Sequence, residues 1–518
     1  MHLTSLPGRF GSGDFGLGAY AFADFLQAAG QTLWQVLPIH PTGYGDSPYQ
    51  CFSAFAGNPL LLSLERLRER GLLAESDLAG APVFPQDTVD FAAVNGFKRP
   101  LLRRAAEAFL AHAPAAERAA YDDFCWRARP WLEDFALFMA VKDAHLGVAW
   151  TDWEGEIRQR HPDALRAWSQ RRAAEVEAIK FWQFEFFRQW EELKTYCRER
   201  GIRMMGDIPI YVAHDSAEVW AHPELFHLDP QGRPTVVSGV PPDYFGSTGQ
   251  LWGNPIYRWE TLAKDGFRWW IERFRGAFAL FDLVRLDHFR GFEAYWEVPA
   301  TEPTAMHGRW VKAPGDGLLT ALQKEFGELP IVAENLGVIT PGVEQLREKF
   351  GLPGMSILQF AFGTDPQGPS FRPHNYRRDL VAYTGSHDND TAVGWWKSEG
   401  GGDSTRTPED VRKEHECARA YLGLSEDAEI NWALIRAALA SVADTAIVPL
   451  QDVLGLGSEA RMNLPGSVSG NWRWRAREGV LRPELSARLR SLSEIYGRVV
   501  DTPPDNVVAL AGRGESTL

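Results

Sequence analysis

Residues 280–291 read LFDLVRLDHFRG. Leu280, Phe281, Leu283 and Val284 make a short apolar run broken only by Asp282, the pattern of a strand covered on both faces of a parallel sheet. The run gives way at once to Arg285, Asp287, His288 and Arg290. Because side chains alternate along a strand, Arg285 and Asp287 share a face, where the cation holds the carboxylate ionised and aimed. Taken alone, an Arg and an Asp two apart on a strand read more readily as a structural ion pair than as chemistry.

Two further stretches shift that balance. PIVAENLG (330–337) ends its apolar run on Glu334, and LVAYTGSHDNDT (380–391) ends its run on His387 and Asp388. Three strand-like runs that each stop on acid predict one pocket at the carboxyl ends of a parallel barrel, where that fold keeps its chemistry. The expected fold class is therefore α/β, a (β/α)8 TIM barrel with large, mainly helical insertions. A bare barrel takes roughly 250 residues, so insertions must account for about half of this chain.

Around these runs, TLWQVLPIHP (32–41), GIRMMGDIPIYV (201–212), GMSILQFAF (354–362) and TAIVPLQDVLGLG (445–457) read as further strands. SLPG (5–8) resembles the loop after a first strand of which only MHLT stands in front, and counting that fragment completes a barrel of eight. Residues 1–518 are read as one catalytic unit, with residues 60–200 as a mainly helical insertion. The last helix of that insertion repeats Trp182, Phe186, Trp190, Leu193 and Cys197 at three- and four-residue steps, a core stripe, and Gly201 ends it. Residues 213–262, rich in Gly, Pro and aromatics without clear periodicity, read as a long active-site loop region presenting Asp243, Tyr244, Phe245, Gln250 and Trp252. Gly11, Gly13 and Gly16 match GxGxxG, but no adequate strand precedes them and no acid ends the next strand, so they read as a turn-rich loop.

Composition narrows the function. A formal charge of −14 without a basic tract argues against a nucleic-acid partner. Cys51, Cys125, Cys197 and Cys417 are scattered without a CxxC pair, which fits reduced thiols better than disulfides or zinc. The first residues lack a secretory pattern and no apolar run approaches ~20 residues, so a cytoplasmic location without a membrane partner is expected. No acidic cluster is dense enough for calcium, and neither metal nor cofactor is expected.

Retaining glycosyl transfer needs two carboxylates only ~5–5.5 Å apart, one ionised nucleophile and one protonated acid. Asp287 beside Arg285 suits the first role. Glu334, leaving PIVA for less charged surroundings, suits the acid whose pKa burial raises. Asp388, preceded by His387, is left to grip sugar hydroxyls.

The segments SLPG, PTGYGDSPYQ, GDIPIYVAHDSAEVW, GVPPDYF with TGQLWGNP, VRLDHFRG, AENLG, TGSHDNDT and RMNLPG with GNWRW resemble, in order and over nearly the whole chain, those of the 4-α-glucanotransferases, the amylomaltase or disproportionating enzymes of glycoside hydrolase family 77. The resemblance implies α-1,4-glucans and maltooligosaccharides as partners, Asp287 as nucleophile, Glu334 as general acid/base, Asp388 as transition-state stabiliser, and Arg285 and His387 as supports. It further implies sugar contacts from Tyr49, Asp207, Gln250, Trp252 and Asn463, with Tyr244 and Phe245 lining the acceptor side. Asn335 stands where the family usually has Asp, Ser386 where Thr is commoner, and His40 where Gly is usual. The rival expectations are an α-amylase-like starch hydrolase and a non-catalytic glucan-binding barrel.

Transfer requires a sugar hydroxyl to beat water to the anomeric carbon, which asks for an apolar acceptor platform. Phe245→Ser is accordingly expected to raise the ratio of hydrolysis to transfer, read from free reducing ends against chain-length redistribution.

Overall fold

The computed structural model describes residues 1–242, 248–401, 406–467 and 469–499. In chain order its strands are β1 Leu33–Gln35, β2 Arg203–Ile208, β3 Val236–Val240, β4 Gln250–Pro255, β5 Leu283–Leu286, β6 Ala294–Pro299, β7 Arg309–Lys312, β8 Ile331–Ala333, β9 Gly354–Ile357, β10 Leu380–Tyr383 and β11 Thr445–Ile447. Seven of these are parallel and form the barrel wall in two arcs, β1-β2-β5-β8 and β9-β10-β11. The Ala333 N–H donates to the Pro353 carbonyl (2.8 Å) and joins the arcs between β8 and β9. Beside β1, Trp34 Nε1 donates to the Met1 carbonyl (2.7 Å) and the Met1 amine to the Gln35 carbonyl (3.3 Å), so the place expected for an eighth strand is taken by residues 1–2 without strand geometry. The architecture is an α/β barrel of the (β/α)8 type.

The wall is apolar where the sequence is apolar. Met204, Val284, Leu286, Ile331 and Ala333 are buried and packed with the helices outside, while Met205 and Val332 face the barrel interior. Helix Ala173–Glu199 is one such cover: Trp190 Nε1 donates to the Leu280 carbonyl (2.9 Å) at the foot of β5. Its N-terminal half packs on helices Phe91–His112 and Ala115–Ala144 through Phe109, Tyr121, Phe181 and Phe184. Lys98 ties this helical insertion to the barrel. Fully buried, its three ammonium protons are spent on Asp14 Oδ2 (2.8 Å), Leu60 O (2.8 Å) and Leu62 O (3.0 Å). No helix among the described residues is long and apolar enough to cross a membrane.

Three sequence expectations need correction. Residues 213–262 are not one long loop: they contain helix Ala217–Ala221, β3 and β4. β3 pairs with β4 on one side and on the other with β6, which arrives only after β5 and pairs in turn with β7, in an antiparallel sheet ordered β4-β3-β6-β7, so half of the sheet lies outside the segment. Residues 354–362 and 445–457 are strands only at their starts. The first run turns into a 3-10 turn at Leu358–Phe360 and the second into helix Leu450–Leu454 after Pro449, because an unbroken apolar run does not separate a buried strand from a buried helical turn. The glycine-rich segment before helix Leu17–Ala28 is irregular, as expected.

At Gly206 on β2 a Cβ atom would lie 2.1 Å from the Phe281 ring. Gly206→Ala is expected to cost about 1–3 kcal/mol through overpacking, measured as a lower urea midpoint; an unchanged midpoint contradicts this close packing.

Candidate active site

Strand register builds the site. In the β2–β5 pair Asp207 lies opposite Arg285, and in β5–β8 Arg285 lies opposite Val332. The ladder continues past the strand ends: Asp287 N–H donates to the Ile208 carbonyl (3.0 Å) and Glu334 N–H to the Leu286 carbonyl (3.1 Å). Asp287 lies two residues beyond Arg285 and Glu334 two beyond Val332, so alternation brings both carboxylates onto the same face, one rung above the guanidinium.

Arg285 is 2% exposed and serves all of them. Nη1 donates to Asp207 Oδ2 (2.5 Å), while Nη2 meets Asp287 Oδ1 at 3.0 Å and Glu334 Oε2 at 2.9 Å. Exposure then separates the roles. Asp207 has a fully buried carboxylate, whereas the side chains of Asp287 and Glu334 keep 23% and 18% of their surface. The expected sugar contact at Asp207 is therefore corrected: a carboxylate with no surface holds Arg285 and accepts from Tyr49 OH (3.0 Å).

The surroundings expected for Glu334 are corrected as well. Burial pushes its pKa up, but Arg285 and the His288 backbone N–H, 2.7 Å from Oε2, outweigh burial and hold it at about 2. Asp287 moves the other way, raised well above the ordinary value by burial and then by the Glu334 carboxylate, against the pull of Arg285. The two carboxylates share one guanidinium, and burial together with their mutual repulsion raises the proton affinity of the pair as a whole. Glu334 does not leave its strand for less charged space; it leaves it for a shared guanidinium.

Asp388 enters from the opposite arc, beyond β10. Asn463 Nδ2 donates to its Oδ1 (2.6 Å), His387 Nε2 lies 3.4 Å from the same oxygen, and Arg461 Nη2 donates to its backbone carbonyl (2.6 Å). Tyr49 stacks on His387, ring centroids 5.1 Å apart and 19° between planes, and Trp472 closes on both. On the antiparallel sheet, Gln250 and Trp252 point the same way along β4 and Trp252 Nε1 donates to Gln250 Oε1 (3.1 Å). Trp252 meets the His288 ring edge-on at 4.8 Å. Asp243, Tyr244 and Phe245 lie outside the described residues.

Arg285, Asp287, Glu334, Tyr49, His387, Asp388 and Asn463 are thus linked by contacts into one cluster, with Trp252 and Gln250 attached through His288. Sequence reading missed Arg461, Trp472 and the role of the His288 backbone. For Arg461 the available signal was its place two residues before Asn463 in RMNLPG; its Nε also donates to the Asn463 carbonyl (2.7 Å). Asn335, the departure from the usual Asp, does not touch the acid beside it. Its Nδ2 donates to Glu344 Oε1 (2.7 Å) and its Oδ1 accepts from Met355 N–H (2.8 Å), stitching β8 to β9 and to helix Pro341–Lys349.

Known proteins resemble this chain over nearly its whole length. A family model described as 4-alpha-glucanotransferase, Glyco_hydro_77, matches residues 1–481. The 4-alpha-glucanotransferase of Thermus thermophilus is 53% identical over 502 residues, 96% of this chain and 98% of that protein. That of Synechocystis is 51% identical, covering 96% and 97%. The amylomaltase of Streptococcus agalactiae, solved in complex with acarbose, superposes with a TM-score of 0.91 at 38% identity, covering 96% of this chain and 99% of that one. The amylomaltase of Corynebacterium glutamicum shares the fold at 20% identity, with a TM-score of 0.75 over 96% of this chain and 73% of its own. A barrel whose strand ends gather three carboxylates around one buried arginine, matched at this identity from end to end, belongs to the 4-alpha-glucanotransferase family, glycoside hydrolase family 77.

Proposed function

We propose that this site performs retaining transfer of α-1,4-glucan segments between maltooligosaccharides through a covalent glycosyl–Asp287 intermediate. One observation carries the reading. Two carboxylate oxygens that meet a single Arg285 nitrogen are less than about 6 Å apart, which fits the ~5–5.5 Å of retaining enzymes and not the ~6.5–9.5 Å that admits an inverting water.

In the first step an Asp287 oxygen bonds to the anomeric carbon, the glycosidic C–O bond breaks, and the leaving oxygen takes the proton of Glu334. In the second step an acceptor hydroxyl gives its proton to Glu334, its oxygen bonds to the same carbon, and the Asp287 ester bond breaks. Glu334 Oε2 is engaged by Arg285 and the His288 N–H, so the transferable proton belongs on Oε1. The pair needs one proton in all, carried by Glu334 when the donor is cleaved. Asn463 holds one oxygen of Asp388 and leaves the other to bind sugar hydroxyls as the ring flattens. Tyr49 and His387 wall the donor side, while Gln250 and Trp252, with Tyr244 and Phe245, serve the acceptor. Four free cysteines support a reducing, cytoplasmic setting.

Maltotriose alone tests the reaction. A transferase converts it to glucose plus a ladder of longer maltooligosaccharides, whereas purely shorter products sink the assignment. Asp287→Asn, Glu334→Gln and Asp388→Asn are each expected to lower kcat at least about 100-fold, and near-normal turnover removes that residue from the scheme.

The pH profile follows from the shared proton. As pH rises, the pair loses that proton and with it the acid, so kcat/KM falls through a pKa belonging to the pair and lying above the ordinary carboxylate range of about 4. Arg285→Gln removes the cation that favours the ionised forms. The alkaline limb is expected to move to higher pH while the maximum rate falls; a limb that stays put argues against the shared guanidinium.

A further inference from the structure

We propose that His288 is a positioning residue that fixes the acid Glu334 and the acceptor platform Trp252 relative to one another, its backbone aiming the first and its ring supporting the second. The inference rests on the assignment of Glu334 made above and deepens it.

The backbone half is a matter of conformation. His288 has φ 47° and ψ 51°, the left-handed region that residues with a Cβ rarely adopt. That conformation turns its N–H toward Glu334 Oε2 at 2.7 Å. With Arg285 Nη2 on the same oxygen, Oε1 is left as the proton-carrying atom on the substrate side.

The side-chain half is a matter of shape. The imidazole meets Trp252 edge-on, 4.8 Å between centroids with planes at 90°. Space for it exists because residue 291 is glycine: a Cβ there would lie 2.5 Å from Ile210 Cδ1 and 3.0 Å from His288 Cδ2. The ring's Nε2 is buried and makes no hydrogen bond to the protein, an unfavourable placement that an apolar ring would avoid. Left-handed backbone is tolerated best by Asn, Asp and His, and of these histidine alone supplies a ring, although this chain also places Phe267 and Trp472 at positive φ. The two demands, left-handed backbone and a ring beneath Trp252, thus favour histidine.

The two functions separate by substitution. Glycine keeps the left-handed backbone and deletes the ring; alanine deletes the ring and disfavours the backbone. On maltotriose, whose leaving group needs a proton, His288→Ala is expected to lose about 10–100-fold in kcat, whereas on α-maltosyl fluoride, whose leaving group needs none, it loses less than about threefold. His288→Gly is expected to lose about tenfold less maltotriose kcat than His288→Ala, while the KM for glucose as acceptor rises about tenfold. His288→Asn, which tolerates the same backbone without the ring, should follow His288→Gly and replaces the alanine comparison if that variant does not fold. Equal behaviour of the alanine and glycine variants, or parallel losses on both donors, overturns the proposal. Glu334→Gln measured alongside keeps the readings apart. If it turns over maltotriose normally, the acid assignment itself falls; if it fails on maltotriose yet accepts the fluoride while the His288 variants match one another, only the positioning role falls.

Discussion

One guanidinium holds the site together. Arg285, buried in the barrel mouth, is the common partner of Asp207, Asp287 and Glu334. Three carboxylates around one cation leave an excess of buried negative charge, and burial and mutual repulsion both oppose it, which favours protonation of the pair. The cost of losing the cation is correspondingly large, about 3–5 kcal/mol for a buried charge left unpaired. Asp207 matters for the same reason. Fully enclosed, it fixes the guanidinium from below and leaves Nη2 free to serve both carboxylates above.

The scaffold delivers this geometry through register rather than through loops. Parallel strands two and five place Asp207 beside Arg285, and strands five and eight place Asp287 and Glu334 at equivalent heights. A strand slipped by one residue would turn one of these side chains into the wall. Close packing such as that of Phe281 over Gly206 protects the alignment as well as the core. Asp388 comes from the other arc and is pinned by a different set of bonds, from Asn463 and Arg461, while Tyr49 ties the two halves together through Asp207 and His387.

This division explains what the sequence disclosed. Arg285, Asp287 and Glu334 were legible because each sits at a fixed offset from a strand readable by its apolar run, and alternation then sets the face. Side-chain exposure was not legible: Asp207 interrupts its strand as Asp287 ends its own, and only the assembled barrel puts one under the floor and the other above it. The antiparallel sheet was hidden because β3 pairs on one side with β6, some sixty residues downstream, and on the other with β4 through a register broken between Val237 and Gly239. The electrostatic reading of Glu334 failed for a related reason. Its cation comes from a neighbouring strand, and its second donor is a backbone N–H whose direction depends on a left-handed residue.

That backbone donor bears on how Glu334 serves the two halves of the reaction. An N–H aimed at Glu334 Oε2 stabilises the anion, the form needed to accept a proton from the incoming sugar in the second half of the reaction. In the first half the same bond works against the acid and must be offset by the substrate. An anomeric carbon gaining positive charge beside Asp287 supplies that offset, favouring the ionised nucleophile and with it a proton on Glu334 Oε1.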